Sequence, residues 1–545
     1  MIHSSWTTFL PRPALMNPLA RRRRAASTRE RYAVATTAQA PRNSLPSSEM
    51  IAVENPATGE IIGHIPDLTP EEVADLARRA LAAQPAWEAL GYRGRARVLR
   101  RMQRWLMDNA DRVITTISAE TGKAYEDAQL AELAYGAQAF GFWAQNAPKY
   151  LADEQIRSSS VFAKGKRLTL RYRPIGLVGV IGPWNYPLTN SFGDCIPALA
   201  AGNSVILKPS EYTPMTSLLM AEGLAACGLP DDVFLVATGR GATGAAVIDE
   251  VDMVMFTGST VTGRKVGIRA AERLIPASLE LGGKDPMIVL ADADLERAAN
   301  HAVYYSMFNC GQTCISIERC YVEAPVYDDF VERVTAKTRA LRQGVPNGPG
   351  SVDVGSMTFP PQVEIVERHV EDARQRGARV LVGGHRGRAQ GQWFEPTILV
   401  DVNHDMACMR EETFGPTLPI MKVTGVDEAI RLANDSEYGL CASVFTHDAQ
   451  RGEAIARQLK AGSVTVNDAL VNYTALELPM GGGTPGSGVG SRHGAGGIRK
   501  YCRQQSLLVS RIHGHRDIHM YPYKVIRTRL LTRVVALLNR GLPAG

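Results

Sequence analysis

The stretch FNCGQTCISIERC at 308–320 gathers Cys310, Cys314 and Cys320 into thirteen residues. A thiolate attacks carbonyl carbon and binds soft metals, so the cluster admits a nucleophile, a zinc site or a disulfide pair. The spacing is C-x3-C-x5-C with no nearby histidine, which is a poor zinc pattern, and no metal is expected. The eight cysteines are sparse for 545 residues and lack the dense spacing of a disulfide-stapled secreted domain, so reduced thiols in a cytoplasmic compartment are expected. Two other residues carry complementary chemistry. Glu280 in LELGGK offers a carboxylate and Asn185 in PWNYP an amide, which with the thiol of Cys314 could make a covalent-catalysis site. Each also has a commoner structural use, since cysteines pack cores, strand-end acids are solvated and Asn before Tyr-Pro makes turns.

A dinucleotide site has several candidate pieces. GRGATG at 239–244 fits G-x-G-x-x-G after the strand-like VFLVAT, but no acid follows about twenty residues on to hold a ribose. SVILKPSE is the better candidate, because Lys208 and Glu211 stand at the carboxyl end of a buried strand. A carboxylate there accepts from both ribose hydroxyls and repels the additional phosphate of NADP. An exposed Lys208–Glu211 ion pair would look the same in sequence. FTGSTVTG at 256–263 adds a strand-to-helix junction with Gly258, Ser259 and Gly263, where helix amides could meet a pyrophosphate, or simply a capped helix.

The elements that must position these residues are legible in outline. VENPATGEIIGHIP reads as two short strands about a turn. Thr69, Pro70 and Glu72 form a helix start with a capping box, and long helices are predicted through 70–150. From 160 to 290, β-branched runs alternate with Ala- and Gly-rich stretches, and a second alternation fills 285–470. Apolar strands separated by helices predict parallel sheets covered on both faces, hence two stacked α/β domains.

The net charge of +6 belongs to the tails. Residues 1–50 hold eight arginines against two glutamates, and 511–545 hold six arginines and Lys524 against Asp517. The body is therefore acidic on balance and has no electrostatic basis for binding nucleic acid. Residues 1–49, rich in Arg, Ser, Pro and Ala, poor in acids and without helical or strand period, predict a disordered basic extension. The segment after RRRR is too polar for a signal peptide; an organelle transit peptide, a non-targeting tail and a true start at Met16 or Met50 are the alternatives. Residues 522–540 space Val525, Ile526, Leu530, Val534, Leu537 and Leu538 helically among Lys524, Arg527, Arg529, Arg533 and Arg540. Such a helix suits peripheral contact with an anionic membrane, or docking on its own oligomer or a partner. His513, His515 and His519 are expected to be solvated tail residues.

PWNYPL (183–188), KPSE (208–211), FTGSTVTG (256–263), LELGGK (279–284), FNCGQTC (308–314) and EETFGP (411–416) together resemble the aldehyde dehydrogenase superfamily in order and spacing, over about residues 50–510. The resemblance implies an α/β fold with a Rossmann-type NAD-binding domain (50–156 and 178–282), a catalytic domain (283–481), oligomerisation strands (157–177 and 482–510) and a homodimer or homotetramer. It implies that Cys314 attacks an aldehyde, that Asn185 and the Cys314 N–H hold the oxyanion, and that Glu280 activates the water that hydrolyses the thioester. For NAD, with NADP as the alternative, it implies contacts from Trp184, Lys208, Glu211, Gly258, Ser259, Glu412 and Phe414. GQTC with ISIER resembles succinate-semialdehyde and general aliphatic dehydrogenases; Arg319 is expected in a structural ion pair and not on a substrate carboxylate. ELPMGGGTPGSGVGSRHG (477–494) departs from the family's G-G-x-K-x-S-G-x-G pattern, lacking the Lys and running one residue longer. That departure opens a second reading, a protein that keeps the fold without the activity.

Overall fold

The computed structural model describes residues 49–539 apart from 161, 162, 164, 512, 518 and 519. The basic N-terminal extension, except Glu49, therefore lies outside the described residues, as do His519 and Arg540.

Met50–Glu54 and Ile61–Pro66 pair antiparallel about the Asn55–Gly59 turn, where Asn55 Oδ1 accepts from the Ala57 N–H. The predicted capping box closes on Pro70–Ala89: Glu72 accepts from the Thr69 N–H at 2.8 Å and Thr69 Oγ1 from the Glu72 N–H at 3.3 Å. Gly91–Asp108, Ala110–Thr121 and Tyr135–Tyr150 follow as long helices. Their apolar faces, with Leu99, Leu106 and Phe140 fully buried, pack on one side of the first sheet.

That sheet has six strands in the order Gly488–Val489, Ala277–Glu280, Met253–Thr257, Leu177–Ile181, Ser204–Lys208, Phe234–Val236. The chain runs outward from Leu177–Ile181 through two strands, then crosses back to add Met253–Thr257 on its other side. This reversal opens a crevice at the carboxyl ends of the two central strands, where doubly wound sheets bind ligands. A second sheet of seven strands is centred on Asp285–Val289 and Ile317–Glu323. Both sheets are buried on both faces at their centres, which is why their strands read as continuous apolar runs.

Several expectations need correction. The sheets are not wholly parallel: Gly488–Val489 and Arg379–Val382 each pair antiparallel at an edge. Thr397–Val400 and Ser463–Val466 are strands that the apolar pattern did not reveal, the first because it is four residues long, the second because Ser463 and Thr465 interrupt the run. Cys320 stands in the middle of the strand Ile317–Glu323. The segment 482–510, expected as an oligomerisation strand, is divided. Its first part contributes Gly488–Val489 to the six-stranded sheet, Gly494–Arg499 is helical, and only Cys502–Ser510 joins Lys166–Pro174 and Glu154–Ile156 in a three-stranded antiparallel sheet. The tail forms the helix Val525–Asn539, without a buried residue.

Candidate active site

The loop that carries Cys314 leaves its helix, Leu295–Met307, through three successive left-handed residues, Asn309 (φ 52°), Cys310 (φ 54°) and Gly311 (φ 71°). For the two that carry a Cβ this conformation costs roughly 1–3 kcal/mol each, so the surroundings must enforce it. Asp127 accepts from the Asn309 N–H at 2.9 Å, Gln312 Nε2 donates to the Asn309 carbonyl at 2.9 Å, and the Thr358 N–H donates to Gln312 Oε1 at 2.7 Å. A Cβ at Gly311 would collide with the Gly415 carbonyl. The turn separates the three thiols. Cys310 and Cys320 are buried in the core of the second sheet, while Cys314 is partly exposed on a cavity.

The cavity holds about 1170 Å³ and runs from Cys314 to the carboxyl ends of the first sheet's strands. Nine of the ten residues named from sequence line it: Cys314, Asn185, Trp184, Lys208, Glu211, Gly258, Ser259, Glu412 and Phe414. Asn185 is buried and gives one amide hydrogen to the Gln312 carbonyl at 2.9 Å, which orients the other hydrogen. Burial pushes the Cys314 thiol up to about 12, and Arg492 is the first charge opposing that rise. Behind Cys314 stand Ile315, Leu440, Cys441 and Met480, an apolar wall with Leu470 and Tyr473 against it.

Glu280 is the exception. It ends Ala277–Glu280, 3% exposed, and is absent from the cavity lining, whereas the next two residues, Leu281 and Gly282, line it. Its Oε2 lies 3.6 Å from Arg492 Nη1, and its Oε1 has no hydrogen-bond partner. Burial pushes its carboxyl up, opposed by Arg492 and Lys500.

At the far end, Lys208 Nζ and Glu211 Oε2 are 3.2 Å apart, with Lys208 almost fully buried. Ser259 caps Thr260–Glu272, its Oγ accepting from the Thr262 N–H at 3.3 Å, so the free amides of that helix face the cavity. A Cβ at Gly258 would strike the Phe256 ring. Gly241 and Gly244, from the GRGATG stretch set aside as weak, line the same space. A strand-end carboxylate, a lysine, a helix N-terminus and side-chain-free glycines along one cavity fit an elongated dinucleotide.

Between the two ends, Glu412 Oε1 accepts from the Gly283 N–H at 2.9 Å, and burial and Glu318 push its carboxyl up to about 8. Glu318 accepts from the Thr413 and Phe414 N–H groups at 2.8 Å and pairs with buried Lys284 at 2.7 Å, fixing this loop. The Phe414 and Trp184 rings meet edge-to-face at 5.3 Å. Arg319 is not in the ion pair expected of it; it donates to the carbonyls of Lys284, Leu432 and Ala433 and to the Tyr321 hydroxyl.

The atypical 477–494 segment is threaded closely. A Cβ at Gly462 would collide with the Gly481 carbonyl, and Ser487 Oγ donates to the Gly282 carbonyl at 2.7 Å while accepting from the Gly439 N–H at 3.0 Å. Gly488–Val489 then pairs with Leu279 and Glu280 themselves. Arg492, Asp194 and Lys500 were not anticipated: only Arg492 falls in a stretch the sequence singled out, SRHG within the departing loop, and it meets Asp194 across 298 residues while Lys500 meets Ser278 across 222. Asn309 and Gln312 stand in the FNCGQTC motif, but their bonds to Asp127 and Thr358 leave no sequence signal.

The sequence profile described as "Aldehyde dehydrogenase family" matches residues 44–507. A protein of Mycolicibacterium smegmatis, whose name assigns it provisionally to succinate-semialdehyde dehydrogenases of the NADP(+) type, is 41% identical over 465 residues, covering 84% of this chain and 89% of its own. The 4,4'-diapolycopene aldehyde oxidase of a Methylomonas species is 39% identical over 475 residues, covering 87% and 88%. Among solved structures, lactaldehyde dehydrogenase from Escherichia coli superposes with a TM-score of 0.81 at 35% identity, over 86% of this chain and 97% of that one.

Proposed function

From the premise that the chain belongs to the aldehyde dehydrogenase family, we propose that it oxidises an aldehyde to a carboxylic acid with NAD through an acyl intermediate on Cys314. The observation that carries this reading is the single cavity joining Cys314 and Asn185 to Lys208, Glu211 and Ser259. Cys314 gives up its thiol proton to solvent and its thiolate sulfur bonds to the carbonyl carbon as the C=O π pair moves to oxygen, where the free Asn185 amide hydrogen and the Cys314 N–H stabilise it. A nicotinamide dinucleotide held by Lys208, Glu211 and Ser259 would supply the hydride acceptor. Loss of hydride leaves a thioester. Glu280, turned toward the cavity, takes a proton from water, whose oxygen attacks the thioester carbon as the C–S bond breaks. We assign 50–156 with 178–282 to the NAD domain and 283–481 to the catalytic domain.

The commitment of Arg319 to main-chain carbonyls leaves it unable to hold a substrate carboxylate, which supports an aliphatic aldehyde. The name of the M. smegmatis relative supports a second reading, succinate semialdehyde with NADP. Glu211 at the strand end favours NAD. Reduced-cofactor formation from short, long and ω-carboxylated aldehydes, with each cofactor, separates the two. We expect the highest kcat/KM with a long-chain aldehyde and NAD; no turnover on any substrate by folded protein rejects the enzyme reading.

Among the described residues no helix is long and apolar enough to cross a membrane. Eight unpaired cysteines support a reducing, cytoplasmic setting. Cys502–Ser510 is a nine-residue edge strand with Leu507 and Leu508 exposed, which supports pairing with a second copy in a homodimer or homotetramer. Val525–Asn539 exposes Ile526, Leu530, Val534, Leu537 and Leu538 alongside Arg529 and Arg533, supporting peripheral contact with anionic lipid. Flotation with phosphatidylserine vesicles is expected to be lost on deleting 511–545. Unchanged flotation rejects the membrane contact, and a monomer by light scattering, before and after deletion, rejects the oligomer.

A further inference from the structure

Arg492 is buried, 5% exposed, and two of its three guanidinium nitrogens are held by hydrogen bonds. Nε lies 3.0 Å and 3.2 Å from the two Asp194 oxygens, and Nη2 donates to Asp194 Oδ2 at 2.8 Å and to the Thr257 hydroxyl. The remaining nitrogen, Nη1, is the one 3.6 Å from Glu280 Oε2. The backbone is pinned as well, since Arg492 and Met480 exchange both N–H···O bonds. At 3.6 Å the pair is electrostatic and not a full hydrogen bond, so Glu280 feels a fixed positive charge while its oxygens keep their lone pairs for a proton.

We propose that Arg492 is a positioning residue: clamped by Asp194, it is the fixed cation that sets the resting orientation and charge state of Glu280 and favours the thiolate of Cys314. The inference rests on the reading of Cys314 as nucleophile and Glu280 as base. The groups facing Glu280 are Arg492 and Lys500 on one segment, Asp194 ahead of the helix Cys195–Ala201, and Cys314 and Tyr501. Lys500 donates to Ser278 on the same face of the strand at 3.1 Å. His493 next to them is held neutral, its imidazole pushed down to about 3 by burial and by the two cations. With Arg492 and Lys500 positive and Asp194 and Glu280 negative, the buried cluster is balanced. Removing the Arg492 charge leaves two carboxylates to one ammonium, which disfavours both the charged form of Glu280 and a thiolate at Cys314.

The test uses the pH dependence of Cys314 alkylation by iodoacetamide, followed by mass spectrometry without aldehyde or cofactor, beside the pH profile of steady-state turnover. Arg492→Gln is expected to move the alkylation midpoint and the acid limb of turnover up by about one pH unit, about tenfold slower alkylation at a fixed pH below the midpoint. Arg492→Lys is expected to restore both. Asp194→Asn, which keeps the cation and removes its anion, is expected to move the midpoint down, and it decides the matter if Arg492→Gln does not fold. The proposal is overturned if the profiles of folded Arg492→Gln superimpose on the parent's while the rate falls equally at every pH, or if Asp194→Asn moves the midpoint up. Alkylation needs no aldehyde chemistry, so a parent protein that fails to oxidise any aldehyde yet shows these shifts would reject the proposed function and retain the electrostatic role.

Discussion

Alanine at Cys314 is expected to abolish aldehyde oxidation, a fall on the order of 10⁴-fold or more, with no burst of NADH in the first turnover. The size follows from the step removed. Without a sulfur there is no covalent adduct, no thioester, and no carbon for the hydride to leave, whatever else still binds. Cys310→Ala and Cys320→Ala are expected to retain the burst, because both thiols are buried in the second core and absent from the cavity lining. Their cost falls on stability, about 1 kcal/mol for a small buried group. Stopped-flow absorbance of NADH, with mass spectrometry of the acylated chain, measures all three variants. Comparable loss in all three would mean that Cys314 is not the nucleophile.

Glu280→Gln is expected to divide the reaction in two. Acylation proceeds, giving about one NADH per site, and steady-state turnover then falls by roughly 10²–10⁴-fold because no group takes the proton from the attacking water. The acylated chain should accumulate and be visible by mass. This outcome also separates Glu280 from Arg492, since the Arg492→Gln variant keeps its base and regains turnover at higher pH. A Glu280→Gln enzyme that turns over at the parent's rate would assign the base to another residue. The structure adds a condition: the carboxylate rests beside Arg492, off the cavity, so it must rotate about its side-chain torsions to reach water at Cys314.

Much of the scaffold was legible because its determinants are local or strongly apolar. The capping box at Thr69 and Glu72 needs only an i, i+3 relation, and it formed as written. Strands such as Ser204–Lys208 and Met253–Thr257 are buried on both faces, so burial forces a continuous apolar run that any reading detects. Thr397–Val400 and Ser463–Val466 escaped because brevity and interleaved hydroxyls erase that run. The segment 482–510 misled for the same reason, since a glycine-rich stretch has no side-chain periodicity and its partners are main-chain atoms of Gly282, Gly439 and Gly462.

The sequence by itself determined which side chains can do the chemistry, a thiol, a carboxylate and an amide, together with the motif order that identifies the family. Only the tertiary structure decided how they stand. It separates Cys314 from Cys310 through a left-handed turn held by Asp127 and Thr358, lines one cavity with nine residues drawn from 184 to 414, and withdraws Glu280 toward Arg492. The Arg492–Asp194 pair spans 298 residues of chain. Charge interactions depend on distance in space and on the low polarity of the interior, and neither is set by separation along the chain; both come from the order in which the strands assemble.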